Sequence, residues 1–513
     1  MKGVRLSGDG TFGIRRRWLN QFVLTLAALA ALLALAVGIE NYRGKRAWEK
    51  CRRELEAKGE RLDWQAFVPP LVPDDQNFAM TPLLAPLFDY TRNVEGRLVH
   101  RDTNAIARLD KLFVWPGYLG GNWRRIEFAD LESLHTFLRE LTNEKLRQDP
   151  AIAAWLVTPP AASPAEDLLA LLHQNDAELA ELRAALHRPH ARFNIHYEQS
   201  LHPLVPHLAT LKKFTSVFRF KALAELAIGN TQAALDDTLA MLALSETLQG
   251  EPLLISGLVR LAIVQIATQP VWEGLARRQW SAEQIATLQS RFEQSNLVED
   301  MAWTLRGERA FCIQALPRSE PFDMFCWPSG WARQNQAAFA RTFQAYVLPP
   351  LDPTSRVADV RVSREPPQEF EGLQDKRSSP YTLFGYALLP NAARCAGKIA
   401  QAQAVVNLAA TACALERYRL ARGDYPERLE QLAPEFMKVV PNDPVNGQPL
   451  KYRCTDSGRF LLYSVGSDLT DDGGAMREPQ SRQPPNLSGI IGEPEGPAPP
   501  SRPLDWVWQY PPK

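Results

Sequence analysis

The sequence predicts a mainly α protein. It has a transmembrane helix near the N-terminus, a helical body, and a small α+β domain at the C-terminus. Three observations lead there. Residues 18–39 are a long, uncharged and mostly apolar run. Capping boxes and periodic Leu/Ala segments recur between 163 and 312. Beyond 391, a long Ala-rich segment gives way to Gly/Pro turns and a hairpin pattern. Apolar residues make up 45 % of the 513, enough to bury a sizeable core. Lys+Arg and Asp+Glu balance at 58 each, so the basic excess that phosphate neutralisation requires is missing and no nucleic-acid partner is expected.

The first element is Trp18 to Ile39, which holds no charge. At about 1.5 Å per residue it covers a hydrocarbon layer of about 30 Å. The run exceeds the ~7–15-residue core of a signal peptide, which favours a permanent signal anchor over cleavage at Ala34-Leu35-Ala36. Arg15, Arg16 and Arg17 flank it on one side. Arg43, Lys45, Arg46, Lys50, Arg52 and Arg53 lie on the other, interleaved with Glu49, Glu54 and Glu56. Although the Lys/Arg count leans the other way, the short N-terminal tail favours N-in, with the bulk of the chain exported.

Next comes a charged stalk, in which Glu49/Arg53 and Glu54/Lys58 have favourable i,i+4 spacing. Residues 68–90 are too Pro-rich for helix and read as a wrapping loop, with Asp74, Asp75 and Asn77 as turn formers. Ser163-Pro164-Ala165-Glu166 is a capping box that opens a helix. A helical hairpin of tetratricopeptide type is expected over 204–229 and 231–249, without a second copy. Residues 253–267 read as a fully buried helix whose Arg260 needs a buried acid, with Glu225 and Glu246 as candidates. Ser281-Ala282-Glu283-Gln284 starts another helix, and 315–380 turns irregular. The expected organisation is a basic tail 1–17, the membrane helix 18–39, a stalk and wrapping region 40–160, an α-helical domain 161–315, an irregular linker 316–389 and an α+β domain 390–513.

Catalytic patterns are sparse. GxSxG, P-loop, GxGxxG and HExxH motifs are missing, and Gly117, Gly120 and Gly121 read as a turn. His173, His187, His190, His196, His202 and His207 form a dense stretch, the basis of an alternative reading as an envelope metal-dependent hydrolase. Pro189 breaks helical spacing within it, and His202 and His207 are poorly spaced to share a face. The six Cys include no CxxC pair; Cys312 and Cys326 are spaced to close a loop in an oxidising compartment, and buried free thiols are the equal alternative.

The last domain carries a resemblance. A helix ending at Gly423 is followed by Tyr425-Pro426. Pro441, Asp443, Pro444, Gly447, Pro449 and Tyr452 come next, and then Tyr463, Ser464, Gly466 and Asp468. In this order they resemble the C-terminal domain of the major pseudopilin of type II secretion. The resemblance covers about 390–475 and implies a helix packed on antiparallel strands with a calcium loop. It also implies a bacterial inner-membrane location, single-pass and mostly periplasmic. Residues 1–17 show no prepilin cleavage motif, so the domain reads as borrowed by a membrane-anchored envelope protein. The expected role is a scaffold for contact with other envelope proteins, with membership of a secretion or pilus-like apparatus as the alternative.

The implied metal is Ca²⁺, with Asp468, Asp471, Asp472 and Asp505 as ligands. Calcium takes six to eight oxygens from carboxylates and carbonyls in a flexible loop, and the Asp-Asp-Gly-Gly turn at 471–474 supplies that chemistry. No catalytic residue and no other cofactor is assigned.

Overall fold

The computed structural model describes residues 10–112, 117–140, 150–198, 203–316, 328–361, 379–383, 395–456, 458–475 and 505–511. The protein is mostly helical with a few small antiparallel sheets. Helix α1 spans Gly10–Glu56, α2 Thr103–Asp110, α3 Leu131–Arg139, α4 Pro150–Val157, α5 Pro164–Leu172 and α6 Asp176–Ala185. Then come α7 Pro206–Ala227, α8 Thr231–Glu246, α9 Leu254–Ala276, α10 Ala282–Gln294, α11 Leu297–Ala315, α12 Ser329–Tyr346 and α13 Cys395–Arg422. Strands β1 Tyr90–Arg92 and β2 Leu98–His100 pair, as do β3 Leu351–Asp352 and β4 Val357–Ala358. Strands β5 Lys451–Thr455, β6 Arg459–Ser464 and β7 Trp506–Gln509 form one sheet in that order.

The chain divides into two compact units. One comprises 1–63, 309–344 and 368–390; the other comprises 64–308, 345–367 and 391–513.

In the first unit, α1 is long enough and apolar enough to cross a membrane, and its apolar residues from Leu19 to Ile39 are exposed apart from half-buried Val37. Beyond Ile39 the helix is charged. The i,i+4 pairs formed are Lys45–Glu49, Lys50–Glu54 and Arg52–Glu56, the last at 2.9 Å. The order is the reverse of that expected: Arg53 instead hydrogen-bonds the Glu49 carbonyl at 3.2 Å. α12 lies within the stretch expected to be an irregular linker. Ala332, Ala337, Phe339, Ala340 and Phe343 recur at helical spacing and are buried, which is why this segment is helical despite its polar neighbours. The end of α11 joins the pair, where fully buried Arg309 meets Glu60 at 2.7 Å and Gln336 reaches the Ile313 carbonyl at 2.6 Å.

In the second unit, α7 and α8 form the expected hairpin, turning at Gly229 with φ +83°. α9 packs on both and is mostly buried, as a core helix would be. Arg260 of α9 is paired with Asp300 of α11 at 2.7 Å, not with Glu225 or Glu246. Glu225 instead accepts from Asn230 at 2.9 Å, and Glu246 faces Arg291 at 3.3 Å. α13 packs along α10 and α9, so the 391–513 segment shares one compact unit with the helical body. Asn77 serves as a backbone clamp: its side chain donates to the Arg192 carbonyl and accepts from the Arg192 N–H, both at 2.8 Å.

Candidate functional site

α13 is helical because it is nearly all Ala and straight-chain or small apolar residues, and most of its length from Cys395 to Glu416 is buried. It stops at Gly423, whose φ of +91° is the left-handed conformation that terminates a helix; its N–H donates to the Arg419 carbonyl at 2.8 Å. The turn that follows is fastened by side chains. The Tyr425 hydroxyl donates to Glu416 at 2.7 Å, and Glu416 also accepts from Arg419 at 2.8 Å. Burial and then the Glu416 charge push the Tyr425 hydroxyl pKa up. The Tyr452 hydroxyl on β5 donates to the Pro426 carbonyl at 2.7 Å.

Asp443 is the hub of the next loop. Only 1 % exposed, it accepts from the Val445 N–H at 3.1 Å, the Ser464 hydroxyl at 2.8 Å and the Val465 N–H at 2.9 Å. Burial raises its pKa, and these three donors oppose the rise. The loop before β5 is thereby tied to the end of β6. Tyr452 thus meets the Tyr425-Pro426 turn, and Asp443 meets Ser464, in two sets of contacts between residues distant in sequence.

The four acidic residues sit beside this hub. Asp468 is buried and caps the Thr470 N–H at 3.2 Å. Asp471 is half-exposed, 3.2 Å from Lys451, and accepts from the Tyr463 hydroxyl at 2.9 Å and the Gly473 N–H at 3.0 Å. These contacts hold its pKa below the usual carboxylate value. Asp505, just before β7, reaches back to accept the Gly474 N–H at 2.8 Å, closing the loop onto the last strand. Its other oxygen is buried without a hydrogen-bond partner. Burial raises its pKa, the Gly474 and Asp472 amides oppose this, and the Asp472 and Asp471 charges add to the rise. The donors therefore suit a hard cation in kind, with one orphaned carboxylate oxygen to offer it. Their placement does not complete a ligand set: among the described residues no group of three or more His, Cys, Asp or Glu is arranged to hold a metal ion.

A second polar assembly escaped the sequence reading. Gly120 and Gly121 form a turn, as expected, but one pressed onto α7 and α9. The Arg219 guanidinium donates to both glycine carbonyls, that of Gly121 at 2.8 Å. Gln269 accepts from the Trp123 N–H at 2.7 Å, and Glu273 accepts from the Ala129 N–H at 2.8 Å and from Gln269 at 2.9 Å. Burial raises the Glu273 pKa. Trp123 then packs at a tilt against Trp508 of β7, ring centroids 5.1 Å apart, and Trp272 donates to the Gln509 carbonyl at 2.9 Å, so the sheet is seated on α9 and this loop. The tryptophans and paired glycines were the available signal.

Among the described residues the histidines do not converge. His173 pairs with Asp176 at 2.6 Å and His196 with Glu198 at 3.3 Å. His207 is fully buried against Glu251 at 3.0 Å, with its ring on Phe193. His190 aligns its backbone with Asn77. His202 lies outside the described residues, as does Cys326, one of the two cysteines spaced to close a loop. A shallow groove of about 300 Å³ is lined by Gln289, Glu293, Arg417, Glu435, Phe436 and Lys438. Its Gln289 and Arg417 both donate to the Phe436 carbonyl, at 2.7 and 3.0 Å. No family model matches the chain, and no curated protein or solved structure is detectably similar to it.

Proposed function

We propose that the protein is a membrane-anchored scaffold of the bacterial envelope. It presents a helical body and a pseudopilin-like tail to other envelope proteins, without catalytic activity. One observation carries the anchor: residues of α1 from Leu19 to Ile39 are exposed, apart from half-buried Val37, whereas α9, which is also long and apolar enough to span, is mostly buried. A row of exposed Leu, Phe and Val of that length needs an apolar surrounding. Trp18, 70 % exposed, and Tyr42, 66 % exposed, flank the row as interfacial aromatics do. The tail reading is supported by the Tyr452–Pro426 and Asp443–Ser464 bonds, which join the residues of the resemblance. The N-in, periplasmic orientation remains part of the proposal.

The test is fractionation of the expressed full chain with protease added to intact spheroplasts. Retention in carbonate-washed membranes with external cleavage of the body supports the reading. Release into the soluble fraction refutes the anchor, and protection from protease refutes the orientation.

Calcium is part of the same proposal, as a clip on the 468–474 loop offered by Asp468, Asp471, Asp472 and Asp505. Its support is the unpartnered Asp505 oxygen among neighbouring carboxylates. Melting of the full-length protein in detergent with millimolar Ca²⁺ against chelator tests it; an unchanged midpoint removes the cation.

A further inference from the structure

We infer that the first turn of α12 and the 379–383 segment form a collar that rests on the bilayer surface, with lipid headgroups as its partner. The inference depends on residues 18–39 crossing the membrane, as proposed above. Exposed apolar side chains on α1 extend to Ile39, which sets the edge of the hydrocarbon. Gly44 follows five residues later, about 7.5 Å along the axis, and the headgroup layer on each face is about 5–7 Å thick. Gly44 is where α12 meets α1. A Cβ on Gly44 would collide with the Gly330 carbonyl, and one on Gly330 with the Glu40 carbonyl. The Gly330 N–H and the Ser329 hydroxyl donate to Asn41 Oδ1 at 2.8 and 3.1 Å.

From that crossing the two helices run side by side in the same direction. Cys51 reaches the Ala337 carbonyl, Arg341 pairs with Glu54 at 3.1 Å, and Gln344 reaches Glu60 at 3.3 Å. α12 therefore begins at headgroup level and points away from the membrane. Its N-terminal end, where the helix dipole is positive, faces the lipid phosphates.

The side chains at this level suit an interface. Trp331 and Tyr381 meet edge to face with centroids 6.2 Å apart. Asn335 holds them there by donating to the Trp331 carbonyl at 2.9 Å and the Pro380 carbonyl at 2.7 Å. Tryptophan and tyrosine favour the membrane–water boundary. Arg46 on α1 and Arg333 on α12 are exposed and add cations for anionic headgroups, beside Arg43 and Lys45, which are exposed and paired with Glu40 and Glu49.

Photo-crosslinking of the full chain in phosphatidylethanolamine/phosphatidylglycerol vesicles tests this. p-Benzoylphenylalanine is placed singly at Leu29, inside the span; at Tyr381; and at Arg341, further out along α12. Lipid adducts at 29 and 381, several-fold above those at 341, are expected. Adducts at 29 with 381 no higher than 341 overturn the collar and leave the anchor standing, whereas none at 29 overturns the anchor. In a second arm, Gly44→Leu separates the helices and should lower the 381 adduct to the 341 level while leaving 29 unchanged. A persistent 381 adduct would show that the Gly44 contact does not set the collar.

Discussion

Arg260 of α9 and Asp300 of α11 form a 2.7 Å ion pair whose side chains are 5 % and 11 % exposed. Burial lowers the Arg260 pKa and raises that of Asp300, and each charge opposes the other's shift. Removing Asp300 leaves the buried Arg260 charge with only the more distant Glu246 opposite it. Asp300→Ala is expected to cost about 3–5 kcal/mol in denaturant unfolding. The double replacement Arg260→Met/Asp300→Leu should recover most of that. A single variant within about 1 kcal/mol of wild type would show that the pair is hydrated.

The Gly120–Gly121 turn gives a second stability test. Gly121 has φ +74°, and a Cβ there would lie 2.5 Å from Gln269 and 2.7 Å from the Ala129 nitrogen. Gly229 also has positive φ, +83°, but open space around it. Gly229→Ala should carry only the backbone term of about 1–2 kcal/mol, and Gly121→Ala distinctly more, because Gln269 and the loop backbone must move as well. Equal losses at the two sites, read from thermal midpoints, would mean that the loop is not pinned by α9.

The elements that the sequence revealed are those written in local periodicity or local chemistry. The apolar run, the α7–α8 hairpin, the Ser163 and Ser281 caps and the stop at Gly423 all fall in this class. The interactions it concealed join segments far apart. Asp300 was not named as the partner of Arg260 because two helix ends must be packed before they meet. The Arg219–Gln269–Glu273 clasp on Gly120 was likewise invisible, since each residue alone reads as an ordinary polar position on a helix. α12 was hidden by its setting within a polar, Pro-rich stretch. At the tail, Tyr452 meets Pro426 and Asp443 meets Ser464, contacts between residues far apart in the sequence. Lys451 and Tyr463 as contacts of Asp471 follow only from the strand register, which pairs Lys451 with Tyr463 directly.

Asp237 on α8 predicts a pH dependence. It is fully buried and meets Arg183, with Lys221 and Glu225 nearby. Burial pushes its carboxyl up to about 6, against the pull of Arg183. The folded protein therefore holds a proton that the unfolded chain releases near pH 4. This contribution to stability is complete below about pH 4 and is lost as pH rises through about 6. Wild type should lose stability relative to Asp237→Asn across that window, measured by urea unfolding at several pH values. A difference that is constant with pH, or that grows in favour of wild type, would contradict the assignment.

Two aspartates of the tail should separate structural from cation-dependent stability. Asp443 satisfies three buried donors through its carboxylate, so Asp443→Ala strands the Ser464 hydroxyl and the Val445 and Val465 amides. At about 1–3 kcal/mol for each unsatisfied group, partly relieved by water, a loss of roughly 3 kcal/mol is expected, equal in Ca²⁺ and in chelator. Asp505 makes fewer protein contacts and has one buried oxygen with no hydrogen-bond partner. Without a cation, Asp505→Asn should cost little, because it relieves repulsion from Asp471 and Asp472 while an amide oxygen still accepts from Gly474. If Ca²⁺ clips the loop as proposed, the same substitution should abolish the rise in melting temperature that the cation brings to the wild type. If Asp505→Asn retained that rise, the metal would have to bind elsewhere, because a neutral amide replaces one of the few carboxylates the loop can offer.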